Sequence, residues 1–130
     1  MTFLGFAGSL RRASYNRGLI RAAVDLAPDG IVVDIFDLAA LPLYNQDVED
    51  AGEPAAVAAF KRAIAQADAL LVATPEYNHG VPGVLKNALD WASRPRATTP
   101  LRDKAVAVMG ASPGHGSTAR AQAQLRDAFV

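Results

Sequence analysis

Residues 69–91 read Ala69-Leu70-Leu71-Val72-Ala73-Thr74-Pro75-Glu76-Tyr77-Asn78-His79-Gly80-Val81-Pro82-Gly83-Val84-Leu85-Lys86-Asn87-Ala88-Leu89-Asp90-Trp91, a strand, a polar turn and a helix in succession. The uncharged run 69–73 predicts a strand buried on both faces, extending to Thr74. Val81, Leu85 and Ala88 recur at helical spacing, so a helix is expected from about Val81 to Ala92. Between them lies an aromatic, acidic loop punctuated by Pro75, Gly80 and Pro82. A loop of this kind at the carboxyl end of a central strand is where open α/β sheets bind ligands.

The same alternation continues on both sides. Thr2 to Ala7 reads as a first strand, and a helix starting near Ser14 follows, with Leu19, Ala23 and Leu26 as its apolar stripe and Pro28-Asp29-Gly30 as its stop. Ile31 to Phe36 reads as a second strand, and Asp34 within it suits a sheet edge. A long loop through Leu43-Tyr44-Asn45-Gln46-Asp47 is expected next. Pro54 then opens a helix with Val57, Phe60 and Ile64 inward. Ala105 to Met109 is a fourth strand, and another helix starts at Thr118. Continuous apolar strands alternating with amphipathic helices imply a parallel sheet covered on both faces, joined by right-handed crossovers.

The 130 residues suffice for one domain, and a formal net charge of zero gives no electrostatic reason to expect a nucleic acid or an anionic membrane as partner. No apolar run has the length of a bilayer span. The amino terminus shows no charged segment followed by a secretory apolar one. Absence of cysteine excludes disulfides, thiolate metal sites and cysteine nucleophiles. The expectation is a soluble cytoplasmic domain over 1–130.

The first loop, Gly8-Ser9-Leu10-Arg11-Arg12-Ala13-Ser14-Tyr15-Asn16-Arg17, joins hydroxyls, an amide and guanidinium groups to a helix amino terminus. Free N–H groups and the helix dipole favour an anion there, and arginine adds charge-assisted hydrogen bonds to phosphate. An ordinary capped turn with solvated arginines would use the same residues. Two other phosphate motifs do not fit. Gly5 and Gly8 lack the G-x-G-x-x-G spacing, and no glycine-lysine-hydroxyl run of a P-loop exists.

The third loop contains Gly110-Ala111-Ser112-Pro113-Gly114, the G-x-S-x-G pattern of a hydrolase nucleophile elbow. Pro113 argues against that chemistry, because the residue after the nucleophile must offer its N–H to an oxyanion. Only His115 and Asp127 follow the serine as partners, in the wrong order. His79 and His115 lie on adjacent loops, but two imidazoles without a carboxylate at ligand spacing make a poor metal site. They are expected to be solvated or to line the substrate opening.

Taken in order, the three loops resemble those of the NAD(P)H-dependent FMN reductases, a branch of the flavodoxin-like fold that includes quinone, azo and chromate reductase-like members. Gly8 to Asn16 is similar to the family's G-S-L-R-x-x-S-x-N phosphate loop, so Ser9, Arg11, Ser14, Tyr15 and Asn16 inherit phosphate and ribityl contacts. Pro75, Glu76, Tyr77 and Asn78 match the P-E-Y-N element beside the isoalloxazine, and Ser112 matches a flavin-contacting serine. Tyr44 and Asn45 also resemble a segment near the active site, with no role assigned.

The resemblance implies an α/β, flavodoxin-like doubly wound sheet of order 2-1-3-4. It implies an enzyme that passes electrons from NADPH or NADH through FMN to a small acceptor: a quinone, an azo compound, a metal oxyanion or free flavin. No side chain is nominated as acid or base, and no metal is expected. The other reading is an FMN-binding electron carrier that meets a protein partner. The resemblance further implies a homodimer or homotetramer, and a fifth strand and last helix beyond strand four. The sequence stops at Val130 within the fourth helix, so a C-terminally incomplete domain is expected. Strand four would then be an apolar edge, with Leu125, Phe129 and Val130 under-covered.

Overall fold

The computed structural model describes residues 1–129. Its strands β1 (Thr2–Ala7), β2 (Val32–Ile35), β3 (Ala69–Ala73) and β4 (Ala105–Met109) form one parallel sheet in the order β2-β1-β3-β4. The helices are α1 (Tyr15–Asp25), α2 (Gln46–Ala51), α3 (Ala55–Gln66), α4 (Gly83–Ala92) and α5 (Ala119–Ala128). This is the parallel class expected from the alternation of strands and helices, in the flavodoxin-like order that the family resemblance implied. Among the described residues, no helix is long and apolar enough to cross a membrane.

Strand period two divides the central strands cleanly. Leu4 and Phe6 of β1 and Leu70 and Val72 of β3 share one face with Val57, Phe60 and Ile64 of α3 and Leu85, Ala88 and Leu89 of α4. Phe60 anchors this layer, with its ring edge-on to Phe6 at 5.4 Å and tilted against Phe36 at 4.9 Å. Burying each such side chain stabilises the fold by roughly 1.5–3 kcal/mol, and truncating Phe60 to alanine would cost about 3–5 kcal/mol. On the opposite face α1 comes very close to β1. A methyl group on Gly5 would lie 2.9 Å from Ile20 Cγ2, so the absence of a side chain sets that approach.

Four expectations change. The buried side of α1 is Asn16 and Ile20, one position round from the expected Leu19-Ala23-Leu26 stripe, and Leu26 is 81% exposed. A polar Asn16 on the inner face hid the true period. The stretch read as loop contains α2, which Asn45 caps by accepting from the Asp47 N–H and which ends at Gly52 with φ 136. Its only large apolar residue, Val48, is exposed, so no stripe announced it. The third helix starts at Gly83 instead of Val81, behind Pro82 at its amino cap.

Leu125 is fully buried in the α3–α4 layer, not under-covered, and Phe129 packs partly against the same layer. Val130 lies outside the described residues. The two edges are β2, with Asp34 exposed as expected, and β4, where Ala105 and Ala107 are exposed.

Candidate functional site

Sheet register aligns the three loops. Ala7 lies opposite Ala73 and Ala73 opposite Met109, so all three leave the same edge at one level. In the first, Ser14 caps α1, its hydroxyl accepting from the Asn16 and Arg17 N–H groups at 3.2 and 3.3 Å. The buried Ser9 hydroxyl accepts from the Arg11 N–H at 3.3 Å and makes a long contact with the Tyr77 hydroxyl at 3.4 Å. The Arg11 guanidinium lies over the Tyr15 ring, 5.6 Å from its centroid, within cation–π range. Arg17 is committed to Asp37 at 3.1 Å. Arg11 makes no ion pair among the described residues. In the same set, the backbone N–H groups of Ser9, Leu10, Arg12 and Ala13 have no protein acceptor.

The second loop folds on itself. Tyr77 and Gly80 pair across Asn78 and His79, both in the left-handed region with φ of 50 and 63. Asparagine tolerates that conformation better than most residues, because its short polar side chain bonds locally. The turn leaves the Tyr77 ring 53% exposed. Pro75 beneath it is buried, with Thr74 donating its hydroxyl proton to the Pro75 carbonyl at 2.7 Å. Glu76 is not a solvated acid. Its Oε2 accepts from the backbone N–H of Arg120 at 2.9 Å and of Ala121 at 3.1 Å, in the first turn of α5.

The third loop leaves β4 at Gly110, which is pressed between Thr74 and Thr118. Asn16, only 2% exposed, grips the next residue. Its Nδ2 donates to the Ala111 carbonyl at 3.1 Å, and its Oδ1 accepts from the Ala111 N–H at 3.0 Å. Ser112 is exposed, its hydroxyl accepting from the Gly114 N–H at 3.2 Å. No histidine hydrogen-bonds Ser112 among the described residues, which removes the general base an elbow serine requires.

The expected residues therefore divide. Ser9, Arg11, Tyr15 and Tyr77 gather on one side of the loop edge, while Asn78 and Ser112 present exposed polar groups from the other two loops. Pro75 is buried packing. The side-chain polar atoms of Ser14, Asn16 and Glu76 already serve the protein. His79 does have a carboxylate neighbour, Glu76 Oε1 at 3.6 Å from its Nδ1, and Arg120 donates to that same nitrogen.

Arg120, Thr118 and Gln124, whose Oε1 accepts from the Val81 N–H at 3.0 Å, were not foreseen. One signal was available: α5 has no side-chain cap of its own and no acid in its first turn, which calls for a cap from elsewhere.

Around this edge the 42–44 segment is tied to α4. Asn87 and Trp91 both donate to the Pro42 carbonyl, at 2.9 and 2.8 Å, and Asn87 Oδ1 accepts from the Tyr44 N–H at 2.7 Å. Tyr44 donates its hydroxyl to Glu49 at 2.8 Å; partial burial, then that carboxylate, raises its pKa above the usual tyrosine value. A cleft lined by Ala7, Ser9, Arg17, Ile20, Asp37 and Leu38 adjoins the first loop, sharing Ser9 with it, and opens on the β2 side.

The model of one family, NADPH-dependent FMN reductase, matches residues 1–130. The chain belongs to that family. It is 50% identical over 127 residues to an NAD(P)H-dependent FMN reductase of Pseudomonas aeruginosa, covering 98% of this chain and 68% of that protein. It is 51% identical over 119 residues to a 2-hydroxy-1,4-benzoquinone reductase of a Burkholderia species, covering 92% of this chain and 64% of that one. Among solved structures it is similar to FerB, a flavoenzyme NAD(P)H:acceptor oxidoreductase of Paracoccus denitrificans, with a TM-score of 0.92 and 39% identity, covering 98% of this chain and 70% of that one. The chain thus spans about two thirds of the length of the proteins it matches. The family's cofactors are FMN, with NAD(P)H as reductant.

Proposed function

We propose that this chain carries the flavin site of an NAD(P)H-dependent oxidoreductase that passes electrons through bound FMN to a small acceptor, with quinones as the favoured class. The first loop carries the reading. Among the described residues, the unpaired Arg11 guanidinium and several free backbone N–H groups belong to one short loop that runs from the buried Ser9 to the amino terminus of α1. A phosphate dianion answers all of these donors together, and an ordinary capped turn leaves them idle. The donor set fits the phosphate of FMN. The exposed Tyr77, Asn78 and Ser112 fit a planar ring system with a polar edge.

When bound, FMN supplies the hydride acceptor and the route for electrons onward. The chain's own part is binding and exposure. Arg11 and the free N–H groups of 9–13 hold the phosphate, with Ser9 and Tyr15 toward the ribityl chain. Backbone groups of 75–78, the Asn78 amide and the Ser112 hydroxyl orient the ring. No ionisable side chain is needed as acid or base for hydride arrival. Quinones are favoured because relatives from Burkholderia and Solanum tuberosum carry quinone-reducing names, at 51% and 45% identity.

The test is a spectrum of the purified protein with FMN, followed by anaerobic addition of NADPH. Bleaching of the flavin's visible absorbance without a second protein, and its return on adding a quinone, is the expected result. FMN that stays bound and oxidised under NADPH and NADH would make the chain a carrier.

A further inference from the structure

We infer that Glu76 and Asn16 are positioning residues that set where the 111–117 loop stands against the other two loops, and that neither touches the flavin through its side chain. This rests on the flavin site proposed above and extends it to residues whose polar atoms are already engaged.

The third loop has reason to need such holding. It carries Gly110, Gly114 and Gly116, and Ser117 is in the left-handed region at φ 47. A glycine-rich segment loses much conformational entropy on being fixed, so a ligand that had to order it would bind more weakly. Two side chains order it in advance, one at each end. At its start, Asn16 uses both its donor and its acceptor on the backbone of Ala111, 95 positions away in sequence. The bonds are complementary, so the amide fixes orientation as well as distance, and at 2% exposure Asn16 has little surface left for a ligand.

At its end, the amino terminus of α5 lacks any cap of its own. Glu76 supplies one from the second loop, placing a carboxylate on two free N–H groups at the positive end of the helix dipole. Arg120 doubles the tie by donating its guanidinium to His79. The third loop is thereby fastened to the first through Asn16 and to the second through Glu76, and Ser112 hangs between the two fixings.

Substitutions separate positioning from contact. Both backbone donors go to one oxygen, Glu76 Oε2, so Glu76→Gln keeps an acceptor for them while removing the charge, and Glu76→Ala removes the cap. In the flavin-free protein, amide hydrogen exchange over 111–121 should quicken by about tenfold in Glu76→Ala and return close to the parent rate in Glu76→Gln. Flavin titration should show Glu76→Ala weakening FMN and riboflavin by the same factor, about tenfold, because the defect lies at the ring end and not at the phosphate. Asn16→Ala should behave like Glu76→Ala on both readouts, and supplies the test if the latter does not fold.

Parent-like exchange and affinity in Glu76→Ala would overturn the inference, as would a Glu76→Gln variant as defective as Glu76→Ala. Loss of FMN affinity alone in Asn16→Ala, with riboflavin unaffected, would place that amide on the phosphate and overturn its half of the inference. A parent protein that binds neither flavin would instead strike the proposed function, while the exchange experiment still judges the two fixings.

Discussion

Gly110 stands so close to Thr118 that a methyl group at position 110 would lie 2.0 Å from Thr118 Oγ1 and 2.6 Å from the Thr74 carbonyl oxygen. The first contact could be relieved by turning a side chain, but Thr118 is fully buried, and the second contact is with backbone. Gly110→Ala must therefore move β4 or the loop leaving β3. Overpacking of this kind costs about 1–3 kcal/mol. Urea denaturation should show the midpoint falling by a corresponding amount, and flavin affinity should fall as well because the third loop moves. An unchanged midpoint would mean that Thr74 and Thr118 press less closely on position 110 than the geometry shows.

Arg11 governs the discrimination between FMN and riboflavin. Its guanidinium is unpaired among the described residues and rests on the exposed Tyr15 ring, next to the free N–H groups of the first loop. Hydrogen bonds to a charged group contribute roughly 1.5–3 kcal/mol, so Arg11→Ala should weaken FMN binding by about one to two orders of magnitude and leave riboflavin nearly unaffected. Turnover at saturating FMN should change little. A variant that still prefers FMN by the parent ratio would place the phosphate elsewhere.

The α/β class was legible because the strands are largely apolar runs alternating with helices, most of which carry their own period, while the sheet order followed from the resemblance of the three loops to the FMN reductases. Val57, Phe60 and Ile64 recur at helical spacing and all three are fully buried. The first helix misled for the opposite reason: its inner face begins with Asn16, whose burial depends on Ala111 far away in the chain. Loop residues were legible as types and not as partners. Glu76 looks like a surface acid until the uncapped end of α5 stands beside it, a relation spanning 44 positions that no local pattern encodes.

Ser112 sits in an elbow-like sequence, but no histidine hydrogen-bonds it among the described residues. Its hydroxyl is exposed and accepts from the Gly114 N–H, while Pro113 has no N–H for an oxyanion. Ser112→Ala should reduce flavin affinity by at most about tenfold, the worth of a single neutral hydrogen bond, and leave hydride transfer largely intact. Stopped-flow reduction of the reconstituted variant by NADPH measures this directly. Ester hydrolysis by the parent that vanishes in the variant would revive the hydrolase reading and defeat the flavin one.

Asp37 makes stability fall in acid. The Ala39 N–H it accepts at 3.0 Å holds its carboxyl below the usual aspartate range against the opposing effect of burial, and the Arg17 charge and hydrogen bond add to the lowering. A depressed folded pKa means that the unfolded chain binds the proton more tightly. The stabilisation is thus complete above the unfolded value, about 4, and is lost as pH falls through the folded one. With the carboxylate 53% exposed, solvent screening keeps the ion pair below about 1 kcal/mol. Asp37→Asn retains an oxygen for the Ala39 N–H and removes the charge. It should be slightly less stable than the parent in urea at neutral pH, and the gap should close as pH falls through the folded pKa of the parent carboxyl. A gap between the two that persists or widens in acid would show that Asp37 acts through packing and not through its charge.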